Sequence, residues 1–168
     1  MCRRASPRAR AGSLAWPGAK KGDRTVSVEP RIEPNVKQAV PFFRVSDVLE
    51  SVRFYVDGLG FEMKNRWVVE GELRWCWLEL GGAALMLQEF PKEGPNAWVP
   101  QGKLGEGVSI AFQCEDALAI YREVLSRGLS PSKPFVGNGM WVTFLSDPDG
   151  YKIEFESPTD VPEDTELS

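Results

Sequence analysis

The sequence predicts an α+β fold built from two tandem βαβββ modules, and three observations carry that expectation. First, a β-favouring run, a capped amphipathic helix and three further strand-like runs follow one another twice along the chain. Second, the two series match at a nearly constant offset. Phe43-Arg44-Val45-Ser46-Asp47-Val48-Leu49 aligns with Phe112-Gln113-Cys114-Glu115-Asp116-Ala117-Leu118 at an offset of 69, and Gly82 and Met86 align with Gly150 and Glu154 at 68. Third, 168 residues with 42% hydrophobic and 26% charged side chains are enough for one packed core and exclude wholesale disorder.

The elements follow in order. Residues 1–36 are rich in Arg, Ala, Pro, Gly and Ser without periodicity and read as a disordered basic extension. An Arg-rich, acid-free start also fits a transit peptide or a start codon placed too far upstream. Val40 to Val45 is the first strand. Asp47, with Glu50 three residues on, has the spacing of a helix cap, and Val48, Leu49, Val52, Tyr55 and Val56 recur at helical spacing until Gly58 and Gly60. Strands at Phe61 to Val69, Leu73 to Leu80 and Ala83 to Glu89 are separated by Glu70-Gly71-Glu72 and Gly81-Gly82. Phe90 to Glu106, with three prolines and three glycines, reads as a linker.

The second series begins with a strand at Val108 to Cys114. A helix at Asp116 to Arg127 follows, with Leu118, Tyr121, Val124 and Leu125 on one stripe. Strands at Phe135–Val136, Met140 to Ser146 and Tyr151 to Glu156 complete it, the last two joined by the turn Asp147-Pro148-Asp149-Gly150. The modules are therefore 38–90 and 107–157 of a domain at 37–157, and 158–168 reads as a solvated acidic tail.

Composition narrows the function. The chain contains no histidine, which removes imidazole metal sites, Ser-His-Asp triads and histidine bases together. Six basic and no acidic residues lie in 1–22, and the remainder carries a net charge of −10. So acidic a body repels phosphate backbones, so a nucleic-acid partner is not expected. No apolar stretch is long enough to span a bilayer, so a membrane partner is not expected either. Cys2, Cys76 and Cys114 form no CxxC pair and fit a reducing, cytoplasmic compartment; Cys76 and Cys114 sit in apolar runs as core residues.

Two motifs carry a resemblance to a known family. Phe43-Arg44-Val45-Ser46-Asp47-Val48 enters a helix that closes with Phe54-Tyr55 and Gly58-Leu59-Gly60-Phe61. Later comes Asp147-Pro148-Asp149-Gly150-Tyr151-Lys152-Ile153-Glu154. Together they resemble the glyoxalase/bleomycin-resistance/dioxygenase superfamily, the vicinal oxygen chelate fold, over residues 38–157. The resemblance implies an incomplete eight-stranded barrel with helices outside and a pocket inside, usually as a homodimer. It also implies a divalent metal in the enzymes of the family, at positions that fall here on Val40, Met86, Ser109 and Glu154. Only Glu154 could hold an ion, so no metal and no cofactor are expected.

Within the superfamily the chain is most similar to the bleomycin-resistance proteins, through Ala39-Val40-Pro41, the Asp-Pro turn, the acidic body and the missing ligand set. Those proteins sequester a cationic drug without breaking a bond. Trp141 stands where they carry an arginine, a departure that bears on bleomycin itself.

Strand alternation, set by an inward Glu154, then gives an expected pocket. It points Val40, Phe42, Arg44, Leu73, Trp75, Trp77, Ala84, Met86 and Gln88 inward from the first module. Ser109, Ala111, Gln113, Trp141, Thr143, Leu145, Lys152 and Glu156 join Glu154 from the second. The ligand-binding residues expected from this set are Phe42, Trp75, Trp77, Met86, Gln113, Trp141, Glu154 and Glu156. Aromatic faces beside carboxylates suit a flat cationic small molecule. The function expected is metal-independent sequestration of a bleomycin-like drug or cationic aromatic metabolite by a homodimer. The alternative is a lyase, isomerase or dioxygenase-like enzyme of the superfamily using Glu154.

Overall fold

A computed structural model of the chain describes residues 35–102 and 104–168, so the expectation for the basic N-terminal extension lies almost wholly outside the described residues. The first module runs β1 (Phe42–Val45), α1 (Val48–Val52, continuing as a wider π-helical stretch at Arg53–Gly58), β2 (Glu62–Val69), β3 (Glu72–Leu80) and β4 (Ala83–Glu89). The second runs β5 (Ser109–Gln113), α2 (Ala117–Ser126), β6 (Phe135–Gly137), β7 (Met140–Ser146) and β8 (Lys152–Pro158).

Local chemistry fixes the helix ends. Asp47 Oδ1 accepts the N–H groups of Leu49 and Glu50, both at 2.9 Å, as a helix cap should. The Val48 N–H donates to the Glu89 carboxylate of β4 at 3.0 Å, so α1 is tied to the sheet at its first residue. Gly60, at φ +83°, turns the chain out of the helix, and a Cβ there would lie 2.9 Å from the Arg127 guanidinium. Asp116 caps α2 by accepting from the Ala119 N–H at 2.9 Å, and the Ala117 N–H donates to Ser157 Oγ of β8. The inner face of α2 carries Ala117, Ile120 and Val124; Leu125, expected on the buried stripe, is 44% exposed.

Each module forms one four-stranded sheet, in the orders β1-β4-β3-β2 and β5-β8-β7-β6, with the first pair of each parallel and the rest antiparallel. Among the described residues no strand of one sheet pairs with the other, so the eight strands do not close into a barrel within the chain. One face of each sheet carries its helix, and these faces meet in a single core. Phe43, Tyr55, Phe61, Leu78, Leu85 and Leu87 from the first module pack there with Phe112, Leu145, Ile153 and Phe155 from the second. Among the described residues no helix covers the opposite faces.

The junction between modules is specific. Phe43 stacks on Tyr151 with ring centroids 4.3 Å apart, and Phe61 meets Phe112 edge to face at 5.7 Å. Tyr55 O–H donates to the buried Asp147 carboxylate at 3.0 Å, and Asp147 also accepts the N–H groups of Asp149 and Tyr151. Asp149 in turn accepts the Ser46 N–H. The turn Asp147-Pro148-Asp149-Gly150 is therefore the bracket by which the second module grips the first.

Two segments depart from expectation. Residues 158–168 are not a loose tail. Val136 N–H donates to the Thr165 carbonyl, Asp164 N–H to that of Val136 and Leu167 N–H to that of Pro134, so the tail lies along β6. The Glu163 carboxylate accepts the Asn138 and Gly139 N–H groups at the β6–β7 hairpin, where Asn138 and Gly139 both have positive φ. One of the acids that suggest solvation, Glu163, is used as the acceptor for two orphan backbone donors. Within Phe90 to Glu106, Trp98 N–H donates to the Pro91 carbonyl at 2.8 Å and the Trp98 ring meets Phe90 edge to face. That part of the linker is a compact loop folded against the first sheet.

Burial pushes the Asp147 carboxyl up to about 6, against the N–H and O–H donors that favour its charged form. The unfolded chain titrates this group near the ordinary carboxylate value, so between about pH 4 and 6 the native state holds more protons than the unfolded one. Its contribution to stability is greatest below about pH 4 and declines as pH rises to about 6. Asp147→Asn removes that dependence. Urea denaturation of both chains between pH 4 and 7 should show the wild type gaining on the variant as pH falls, by on the order of 1–3 kcal/mol. A difference that does not change with pH would show that Asp147 titrates as an ordinary carboxylate.

Candidate functional site

Register decides which residues share a face, because directly paired residues point the same way. On the open face of the first sheet one row runs Phe42, Met86, Trp77 and Asn65, and the next runs Arg44, Gln88, Trp75 and Trp67. On the open face of the second sheet the rows are Ala111, Glu154 and Phe144, then Gln113, Glu156, Val142 and Phe135. The first sheet thus brings together Phe42, Met86, Trp75 and Trp77. The second brings together Gln113, Glu154 and Glu156. The expected pocket is divided between two surfaces.

Two parity assignments are corrected. Trp141, with Thr143 and Leu145, lies on the helix-bearing face of the second sheet; Trp141 pairs with Ser157, and Thr143 and Leu145 are buried. The reason is the turn before β8. Leu80 and Ala83 are joined by two residues, whereas Ser146 and Lys152 are joined by five, and the odd difference reverses the alternation of β7 relative to β3. Phe144 and Val142 occupy the places expected for Trp141 and its neighbours. Leu73 is likewise turned to the helix side, where it packs on the core, because the pairing shifts register between Trp67 and Val68 and leaves Arg74 as the extra residue of a bulge.

The polar groups are already partly engaged. Glu154 Oε1 lies 2.9 Å from Lys152 Nζ, and the same ammonium sits 4.2 Å from the Phe144 ring centroid. Glu154 is thus half of a neutral pair. Glu156 is half-buried and has no ion-pair partner among the described residues. Trp77 Nε1–H donates to Glu79 Oε1 at 2.7 Å, which fixes the indole on the open face. A small cavity of about 210 Å³ lies over this part of the second sheet, lined by Phe135, Met140, Val142, Phe144, Glu154 and Glu156 among others. Cys76 and Cys114 offer no nucleophile: burial raises both thiols, Cys76 to about 11.

A divalent metal does not fit these residues. Of the four positions implied for it, Met86 pairs with Phe42 in an apolar row, Val40 is aliphatic, Ser109 is a neutral hydroxyl opposite Lys152, and Glu154 is held by that lysine. Among the described residues no group of three or more His, Cys, Asp or Glu side chains is placed to hold an ion.

With this geometry in place, comparison with known proteins is decisive for the family. The sequence profile described as Glyoxalase/Bleomycin resistance protein/Dioxygenase superfamily matches residues 37–155. The chain belongs to that superfamily. No curated protein matches its sequence. Among solved structures, the antibiotic-binding protein TnmS3 from Streptomyces sp. CB03234 superposes with a TM-score of 0.57 at 22% identity, covering 76% of this chain and all of that one. A bleomycin resistance determinant encoded on the transposon Tn5 gives 0.56 at 23%, covering 75% of this chain and 100% of its own. Lactoylglutathione lyase from Agrobacterium tumefaciens gives 0.54 at 17%, covering 74% and 96%. At these identities the likeness is one of fold, and a superfamily that includes binders and a lyase leaves function to the site.

Several residues of the two surfaces escape alternation read from the sequence. Trp67 is 53% exposed, and its face could have been found by pairing it with Trp75 across the Glu70-Gly71 turn. Trp98, Phe144 and Val142 carried no such signal. The face assignment has a direct check. Leu145→Ala should cost about 2–5 kcal/mol in chemical denaturation, as a cavity in the core does. Phe42→Ser, on the open face and 46% exposed, should cost about 1 kcal/mol or less. Equal costs would reverse the assignment.

Proposed function

We propose that this chain is a metal-independent binding protein that sequesters a flat aromatic small molecule, of the bleomycin-like or cationic aromatic class, without breaking a bond in it. The observation that carries the reading is the row Phe42, Met86 and Trp77 beside Trp75: one thioether and three aromatic rings on the face of the first sheet turned away from the core. Rings and a polarizable sulfur give area and stacking for a planar ligand, and none of them is an acid, base or nucleophile. Chemistry is limited to binding at such a surface.

The same faces favour a homodimer as the working form. Half-exposed aromatic rows are costly in water, and covering one sheet's face with the face of a second copy would close a pocket around a ligand. On this reading Glu156 supplies the attraction for a cationic group, while Glu154 contributes less because Lys152 already neutralises it. Gln113, on the same row as Glu156, is a neutral handle. Trp141 has no part in the pocket. No helix of the described residues is long and apolar enough to cross a membrane, and a cytoplasmic location fits the sparse cysteines.

Calorimetric titration of chelator-treated protein with metal-free bleomycin, followed by recovery of the ligand, tests the reading. Saturable binding near one ligand per subunit, with all ligand recovered unchanged, is expected. Loss of binding on chelation, or conversion of the ligand, would overturn it. Trp77→Ala should weaken binding by about tenfold or more, since base-like aromatic stacking is worth about 1–3 kcal/mol. Lys152→Gln, which frees Glu154, should strengthen binding of a cationic aromatic ligand, and Glu156→Gln should weaken it; no response to either charge change would remove the cationic requirement.

A further inference from the structure

A cavity of about 580 Å³ opens where the first sheet meets the loop after β4, within the size range of small-ligand sites, about 300–1,000 Å³. Trp67 from β2 and Trp98 from the loop line it, with Arg44 from β1 and Gln88 from β4. The loop is a built wall. It is closed by the Trp98 N–H to the Pro91 carbonyl and by the Ala97 N–H to the Gly94 carbonyl at 3.1 Å.

Arg44 is the informative residue. Its guanidinium carbon lies over the Phe90 ring, 4.6 Å from the centroid, and 5.8 Å from that of Trp98, so two aromatic rings attract the cation. A ring face offers no lone pair to the five N–H donors of a guanidinium, whose planar fork matches a carboxylate. Among the described residues no carboxylate pairs with Arg44 and no acceptor takes its side-chain donors. The other charges of the cavity are engaged with one another. Arg74 is bonded to Glu72 and lies 3.7 Å from Glu89, whose second oxygen accepts the Val48 N–H. The cavity is thus lined by two indoles and by a guanidinium that has no carboxylate partner among the described residues.

We propose that this cavity is a subsite for a planar aromatic acid, its carboxylate paired with the free fork of Arg44 and its ring stacked against Trp67 and Trp98. The proposal deepens the sequestration reading and rests on it, because Arg44 and Gln88 form the row next to Phe42, Met86 and Trp77. It assigns an anionic group to this end of the ligand, independently of the charge at the Glu156 end.

Three probes of one shape test it on the full chain: 2-naphthoate, its uncharged methyl ester, and 2-naphthylmethylammonium. Calorimetry should show naphthoate binding saturably, one per chain, at least tenfold tighter than the ester. The indole N–H resonances of Trp67 and Trp98 should move. Arg44→Gln should reduce naphthoate to the affinity of the ester and leave the ester unchanged. Arg44→Lys, which keeps the charge without the planar fork, should retain part of the preference. Equal affinity for acid and ester, insensitivity to Arg44→Gln, indole shifts confined to Trp75 and Trp77, or no saturable binding of any probe would each overturn the subsite. The two readings separate in failure. Binding of the ammonium probe that depends on Glu156 and not on Arg44 overturns the acid subsite and leaves sequestration standing. Naphthoate held at Arg44 but chemically converted overturns sequestration and leaves the subsite standing.

Discussion

The architecture depends on one buried carboxylate. Asp147 has few exposed atoms, yet it accepts the Tyr55 phenol from the other module and two N–H groups of its own turn. Burying such a group is unfavourable, and the three donors offset part of that cost. Its turn also positions Asp149 to accept the Ser46 N–H and Tyr151 to stack on Phe43. Four residues of one turn thereby set how the first sheet lies against the second. The apolar core follows from that placement, since Phe61, Phe112 and Phe155 can meet only when the helix-bearing faces are brought together.

With those faces packed into the core, the other face of each sheet carries the aromatic and charged rows. The two differ in character. The first carries Phe42, Trp67, Trp75, Trp77 and Met86 around Arg44; the second is smaller and more polar, with the Lys152–Glu154 pair at its centre. Two modules of the same topology thus present one aromatic surface and one charged surface. Met86 and Glu154, which occupy matching places in the two halves, show how far: one is a thioether between two rings, the other a carboxylate beside an ammonium.

Most of the fold was legible because its signals are local. Helix caps at Asp47 and Asp116, glycines after each helix, and the hairpin turns mark boundaries without reference to the rest of the chain. Faces are less local. Alternation assigns them only if no residue is inserted; the five-residue turn before β8 reversed β7, and the bulge at Arg74 reversed only the start of β3, misplacing Trp141 and Leu73. Both errors arise from counting across an irregularity. Trp98 and the acidic tail were misread for another reason: composition suggested solvated chain, whereas a single indole and the Glu163 carboxylate found partners far away in sequence. The divided surface was beyond any local signal, since it reflects which faces meet across the module junction.

The tail along β6 has a further consequence. Sheet margins with open N–H and C=O groups can recruit strands from other molecules. Here the margin of the second sheet is occupied by the chain's own last residues, with Phe135 bridged to Glu166. The outer margin of the first sheet, β2, is interrupted by two register shifts and carries Lys64 and Arg66. These two margins, β6 of the second sheet and β2 of the first, offer no regular ladder to a neighbour. At them, copies of this chain are steered away from open-ended strand addition.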